Sequence, residues 1–301
     1  MQKPAAEHAR ESLAEFMQRE KLGPEFADTV ERIYRPLAIR IRQMKDSRRG
    51  CIVGICGSQG SGKSTGAGVL RILLEAAGLQ VAVLSIDDLY FPKEAREKLA
   101  QDIHPLLGTR GPPGTHDVAL GERVLDALLT PQRTAIPRFD KSRDTRADPS
   151  QWDQFQGPAD VVLFEGWCVG ARPQPLEALA NPINDLERDS DTDGIWRRYV
   201  NDALAGPYQH LFGRIEYLIL LKAPSFEVVA GWRKEQEAKL RARAGAAAGV
   251  MSDAQIDRFV QLYERLTRYI LAEMPSRADA IVRLDPNRQP LDLDIRPIHG
   301  K

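Results

Sequence analysis

The chain has 301 residues, with 42 basic and 42 acidic side chains, 43% hydrophobic and 28% charged positions. That length can bury a large core as one α/β domain with insertions, and a formal net charge of zero removes any global pull toward nucleic acid or an anionic membrane. Cys51, Cys56 and Cys168 show no CxxC or Cys/His spacing, which argues against a disulfide framework and a zinc site and for small buried thiols. The N-terminus, Met-Gln-Lys-Pro-Ala-Ala-Glu-His, lacks the apolar stretch of a secretion signal, and no run approaches membrane-spanning length. A soluble, cytoplasmic chain is expected.

In chain order, residues 1–49 are charged and helix-prone, with Leu13, Phe16 and Met17, then Ile33, Leu37 and Ile41, at helical spacing. They are expected to pack as a helical segment on one domain spanning 50–301. Cys51 to Cys56 reads as a first strand and Ser64 to Ala77 as a helix with Gly78 as its C-cap. Leu79 to Ile86 is a second strand, Val161 to Phe164 a third, Tyr217 to Leu221 a fourth and Ala280 to Leu284 a fifth. Runs apolar on both faces belong to a mostly parallel sheet flanked by helices. An insertion over about 90–158 carries a Gly/Pro-rich loop, "GTRGPPGTHD" (108–117), and a basic turn, "IPRFDKSRDTR" (136–146). A long helical stretch over about 225–275, with a hinge-like break at 244–252, has the character of a lid.

Gly57, Ser58, Gln59, Gly60, Ser61, Gly62, Lys63, Ser64 and Thr65 match GxxxxGK[ST] between a strand and a helix, the context that this motif requires. Its glycines let backbone N–H groups converge on phosphate oxygens at a helix N-terminus. Lys63 is expected to reach the β- and γ-phosphates and Ser64 to ligate Mg²⁺. Thr65 stands where a dinucleotide fingerprint needs Gly or Ala, which weakens that alternative. Glu165, at the end of the third strand, is placed for the second carboxylate on the magnesium side. The fold expected is therefore a kinase-type P-loop NTPase of five strands, with an N-terminal helical extension and a helical lid.

No Asn-Lys pair occurs, so the guanine signature of a GTPase switch is missing, and one compact chain gives no sign of an oligomeric motor. A small-molecule kinase needs an acceptor pocket, a base and a mobile cationic cover. Asp87 and Asp88 close the second strand, which is expected to lie directly beside the P-loop strand through a right-handed crossover. Arg110, His116, Arg138 and Lys141 supply charge in the intervening loops. Arg233, Lys234, Lys239, Arg241 and Arg243 supply it after the fourth strand.

"GSQGSGKST", "SIDDLY", "RGPPGTHD", "PRFDKS" and "VLFEGW" resemble, in order, the motifs of the D-glycerate 3-kinase family, within the uridine kinase, phosphoribulokinase and pantothenate kinase group. The stretch from Gly231 to Ile270 resembles that family's lid, and the likeness covers roughly residues 50–290. It implies Asp87 as general base and as a group on the metal side with Ser64 and Glu165, and Arg233 facing the transferred phosphate. It implies ATP with Mg²⁺, and D-glycerate as a small anionic hydroxy-acid substrate held among Asp88, Tyr90, Arg110, His116, Asp117, Arg138 and Lys141. Leu89 replaces the aromatic of the wider group's pattern, and "PRFDKS" continues "RDTRADPSQW" without a glycine-rich segment. Another acceptor, such as a nucleoside, pantothenate or a sugar phosphate, stays open, as does a non-catalytic NTP-binding regulator. Asp88 is left between metal-bound water and capping the following turn. Oligomeric state is left open.

Overall fold

The computed structural model describes residues 3–45, 50–244 and 253–297. The break expected at 244–252 falls outside them from residue 245 onward, as do the side chains of Lys239, Arg241 and Arg243.

A six-stranded sheet forms the centre, in the order β10-β9-β8-β1-β7-β2. Its strands are β1 (Cys51–Gly57), β2 (Val81–Ser85), β7 (Val161–Gly166), β8 (Tyr217–Lys222), β9 (Ala280–Leu284) and β10 (Pro290–Ile295). Five pair in parallel, and β10 runs antiparallel to β9 along the edge. The five expected strands are present and β10 is added. Its sequence, Pro-Leu-Asp-Leu-Asp-Ile, alternates apolar with acid because one face is wet, and Asp292 pairs with Arg283 of β9 at 2.8 Å.

Successive residues of the inner strands enter opposite cores. Ile52, Cys56, Val162, Phe164, Leu218 and Leu220 face one side, while Cys51, Val53, Ile55, Val161, Leu163 and Ile219 face the other. The period of two, buried on both faces, is why these runs read as unbroken apolar stretches. The second core also receives Leu13 and Phe16 of helix Lys3–Glu20 and Ile33, Leu37 and Ile41 of the helical segment that follows. The first core is closed by helices Val118–Leu128, Ile195–Ala205 and Pro207–Phe212 and by Leu262, Leu266 and Ile270 of helix Asp253–Glu273.

The insertion between β2 and β7 builds two short antiparallel pairs, one nested in the other. β3 (Arg133–Ile136) pairs with β6 (Asp153–Gln156), and β4 (Phe139–Asp140) pairs with β5 (Thr145–Arg146). One expectation is corrected: β2 does not adjoin β1, because β7 lies between them. Glu165 of β7 stands level with Ile55 on one side and Ser85 on the other. The chain thus crosses past one strand position before laying down β2, and β7 fills the gap later.

Candidate active site

β1 ends at Gly57, and residues 58–62 turn into helix Lys63–Ala76. The turn needs Gly62 as its N-cap residue, since φ there is +85°, which an L side chain rarely adopts. The Ser61 amide bonds the Ser58 carbonyl at 3.1 Å. The buried hydroxyls of Ser58 and Ser61 have no hydrogen-bond partner among the described residues. Buried donors without partners are costly, so this turn is chemically prepared for an anion.

Glu165 meets the P-loop across the β1–β7 pair. Its Oε1 accepts from the Ser64 hydroxyl at 2.9 Å, while the buried Oε2 has no partner among the described residues. Ser64 and the Glu165 oxygens are the hard ligands that a magnesium ion takes, and one of those oxygens is unsatisfied. No group of three or more His, Cys, Asp or Glu side chains converges on a metal position among the described residues. Two protein ligands completed by phosphate oxygens and water fit that donor set. Gly166 follows because a Cβ there would stand 2.2 Å from Ile86 Cγ2, where the end of β2 crosses.

Asp87 and Asp88 lie on a single 3₁₀ turn, Ile86–Leu89, capped by Ser85, rather than on extended chain with side chains alternating. Asp87 receives Lys141 Nζ on Oδ2 at 3.0 Å and the Tyr90 hydroxyl on Oδ1 at 3.3 Å. Burial alone would raise its pKa, but Lys141 and the P-loop Lys63 together hold it below the ordinary carboxylate value. Asp88 instead accepts from the Phe139 amide and from Arg138, each at 2.9 Å. For Asp88 burial outweighs both partners and the pKa is raised. Asp88 does not cap the turn that follows it in sequence; its bonds pin the basic turn to the end of β2.

The remaining predicted residues separate. Arg138 also pairs with Asp153 at 2.5 Å. Arg110 pairs with Asp144 and lies over the Phe139 ring at 5.6 Å. Asp117 is committed elsewhere: its Oδ1 caps helix Val118–Leu128 by accepting from the Leu120 amide at 2.9 Å, and its Oδ2 pairs with Arg146 at 3.2 Å. His116 does not contribute charge, because burial drives its pKa down to about 3. Its ring stacks on Tyr90 at 4.3 Å between centroids. Arg233, on helix Phe226–Ala244, lies over the Phe259 ring at 5.4 Å and lines a cavity of about 10 Å³ that also touches Gln59. Lys63, Asp87, Lys141, Tyr90 and His116 are therefore gathered, and Asp117 is not among them. Sequence reasoning missed Tyr208 and Tyr263. The Tyr208 hydroxyl meets His116, and the Tyr263 hydroxyl donates to the Arg110 carbonyl at 3.2 Å. Tyr208 belongs to no motif, and Tyr263, though inside the lid-like stretch from Gly231 to Ile270, carries no signal of its own there.

A cleft of about 560 Å³ extends from residues 60–65. It is walled by Leu22, Phe26, Thr29 and Tyr34 of the N-terminal segment and by the β9–β10 turn, Asn287–Pro290.

A parallel sheet whose central strand runs into this glycine turn, with an acidic neighbour strand and a charged insertion, defines a kinase-type P-loop protein. An uncharacterised kinase of Schizosaccharomyces pombe is 33% identical over 267 residues, covering 83% of this chain and 93% of the relative. The chloroplastic D-glycerate 3-kinase of Arabidopsis thaliana is 30% identical over 258 residues, covering 80% of this chain and 54% of that longer protein. Among solved structures, the D-glycerate 3-kinase of Cryptococcus neoformans superposes with a TM-score of 0.73 at 26% identity, covering 88% of this chain and 99% of that one. No family model matches. The chain belongs to the D-glycerate 3-kinase family of P-loop kinases.

Proposed function

We propose that this kinase transfers the γ-phosphoryl group of ATP to a hydroxyl of D-glycerate. The observation that carries the reading is Asp87: a carboxylate held ionised within the field of Lys63 and paired with a solvent-facing Lys141. Phosphoryl transfer requires little covalent chemistry from protein; it requires positioning and charge stabilisation. The amides of residues 58–64 and the Lys63 ammonium hold the phosphates, and the 560 Å³ cleft takes the nucleoside. Ser64 and Glu165, with Asp87 on the same side, would hold a magnesium ion, which would supply neutralising charge for the transferred group. Arg233 approaches that group from the lid.

Asp87 accepts the hydroxyl proton as the new P–O bond forms. Lys141 is 62% exposed against 30% for Asp87, so its ammonium is free to turn toward an incoming carboxylate. All three cations have carboxylate partners, but Arg110 and Arg138 are 31% and 35% exposed, leaving Lys141 the cation least bound by packing. Replacing Lys141 by Met should raise the KM for D-glycerate about tenfold or more, the size of one charge-assisted hydrogen bond, with the KM for ATP nearly unchanged. Equal rises in both would place Lys141 on the nucleotide side.

The aromatic faces that a nucleoside base would need are occupied. Tyr90 is covered by His116, Phe139 by Arg110, and Trp167 by Tyr263 at 4.9 Å. That favours a small polar acceptor. Cys51, Cys56 and Cys168 are buried free thiols, in keeping with a reducing, cytoplasmic setting, and no helix among the described residues is long and apolar enough to cross a membrane. The test is ADP release measured over D-glycerate, uridine, pantothenate and ribulose 5-phosphate. Turnover with D-glycerate alone supports the reading, turnover only with another compound replaces the substrate, and none at all points to a nucleotide-binding regulator.

A further inference from the structure

The acceptor side holds a buried imidazole with one nitrogen uncommitted. His116 is 3% exposed. Its Nδ1 lies 2.6 Å from the Tyr208 hydroxyl, whereas Nε2, at the other end of the ring, has no hydrogen-bond partner among the described residues. The ring is stacked on Tyr90, which donates to Asp87, and Asp87 is the charged group that bears on the imidazole. Leaving a buried polar nitrogen unpaired is costly, and a partner supplied by a bound ligand accounts for it.

The Tyr208 hydroxyl settles which nitrogen carries the proton. A phenol has one proton to give and two lone pairs to receive with. The Tyr208 oxygen accepts from the Gly114 amide at 2.9 Å. Among the described residues its own proton has one acceptor within reach, His116 Nδ1. That nitrogen then accepts, and the proton of the neutral ring sits on Nε2.

We propose that Tyr208 holds His116 in the Nε2–H tautomer, so that the neutral imidazole donates a hydrogen bond to an oxygen of the acceptor bound beside Asp87. The inference rests on the acceptor site described above. Tyr208 is a positioning residue, acting only through His116. A neutral donor is the chemically useful form here: an imidazolium would add a positive charge beside Asp87 and reduce the basicity that the reaction draws on. Burial keeps the ring in its neutral form.

Nitrogen-15 NMR of the full chain labelled at histidine reads the tautomer directly. Five histidines need assignment, and loss of one signal in His116→Gln identifies the one in question. The wild type should show His116 as the Nε2–H form at neutral pH, and Tyr208→Phe, which keeps the ring but not the proton, should show a tautomer mixture. Kinetics with D-glycerate and ATP supply the second readout. The glutamine amide nitrogen reaches the position of Nε2 and that of asparagine the position of Nδ1. His116→Gln, which keeps a donor near Nε2, should therefore raise the KM for D-glycerate less than His116→Asn, which raises it about tenfold, and the ATP KM holds in both. An Nδ1–H signal in the wild type overturns the proposal, and so do equal losses in folded Gln and Asn variants. If His116→Asn does not fold, the same comparison is made between Tyr208→Phe and the wild type, where an unchanged tautomer and unchanged KM overturn it. A wild type inert to D-glycerate would sink the substrate assignment instead, with the tautomer still decided by the spectrum.

Discussion

Lys141 reaches Asp87 from the solvent side, whereas Asp88 is gripped by Arg138 and the Phe139 amide. Asp87→Asn keeps the shape and removes the basic oxygen, so phosphoryl transfer should fall by roughly two to four orders of magnitude while ATP affinity changes little. Asp88→Asn weakens two hydrogen bonds, one of them charge-assisted, and should lower stability by about 1–3 kcal/mol with a smaller loss of kcat. Measuring turnover and melting on both variants tests the division: a dead but fully stable Asp88→Asn beside an active Asp87→Asn would reverse it. Lys63→Ala should lower kcat about 10²–10³-fold, the scale of removing one preorganised charge stabiliser, and leave the fold intact. At this scale the sequence was legible where a motif carries its own context, as in residues 57–65. It was not legible where a side chain had two possible employers. Asp117 precedes the apolar run Val118–Leu128, and that is an N-cap signal as much as a ligand signal; the cap is what the structure has. Tyr208 was beyond reach because its meeting with His116 joins positions 92 apart.

The helix Lys3–Glu20 lies against the P-loop helix through Phe16, whose ring stands 2.6 Å from where a Cβ on Gly68 would be. The adjoining segment brings Phe26 and Tyr34 to the wall of the nucleotide cleft. Phe16→Ala should cost about 3–5 kcal/mol of stability, the range for truncating a buried aromatic, readable as a lower denaturant midpoint with unchanged m. If the helix merely rides on the surface, the midpoint will not move. The inner strands were readable from their apolar runs because both faces are buried, and their bounds shift by a residue or two. Strand order was not readable, since nothing local in Val81–Ser85 says that β7 will later fill the position beside β1. The β10 edge escaped notice for a related reason: a proline and two acids remove the apolar run, and only its pairing with β9 makes it a strand.

Across the whole molecule, burial holds several groups neutral, and that sets the pH range of stability. His116 titrates at about 3 in the fold against 6.5 in an exposed chain. Its contribution is complete above 6.5 and is lost as pH falls below that value, because the unfolded chain binds a proton that the folded one refuses. Tyr34 and Tyr217 are pushed up to about 12 by burial from an ordinary 10. Their contribution is complete below 10 and declines as pH rises from there toward 12. Glu227, brought down to about 2 by hydrogen bonds from Arg268 and Ser225, acts on the acid side only below about 4.5. The expected profile is a plateau between about pH 7 and pH 9, above which the Cys56 thiol, pushed up by burial to about 12 from 9.0, begins the alkaline limb, with His116 shaping the first acid limb. One excess proton bound by the unfolded state costs about 1.4 kcal/mol per pH unit, so the wild type should lose about 2 kcal/mol between pH 6.5 and pH 5. Glutamine at 116 has nothing to titrate, and His116→Gln should be nearly flat over that interval while keeping the alkaline limb. Urea midpoints at half-unit steps for both proteins give the comparison. If the two acid limbs superimpose, the imidazole is not the buried neutral group at the heart of the acceptor side, and a carboxylate must be sought in its place.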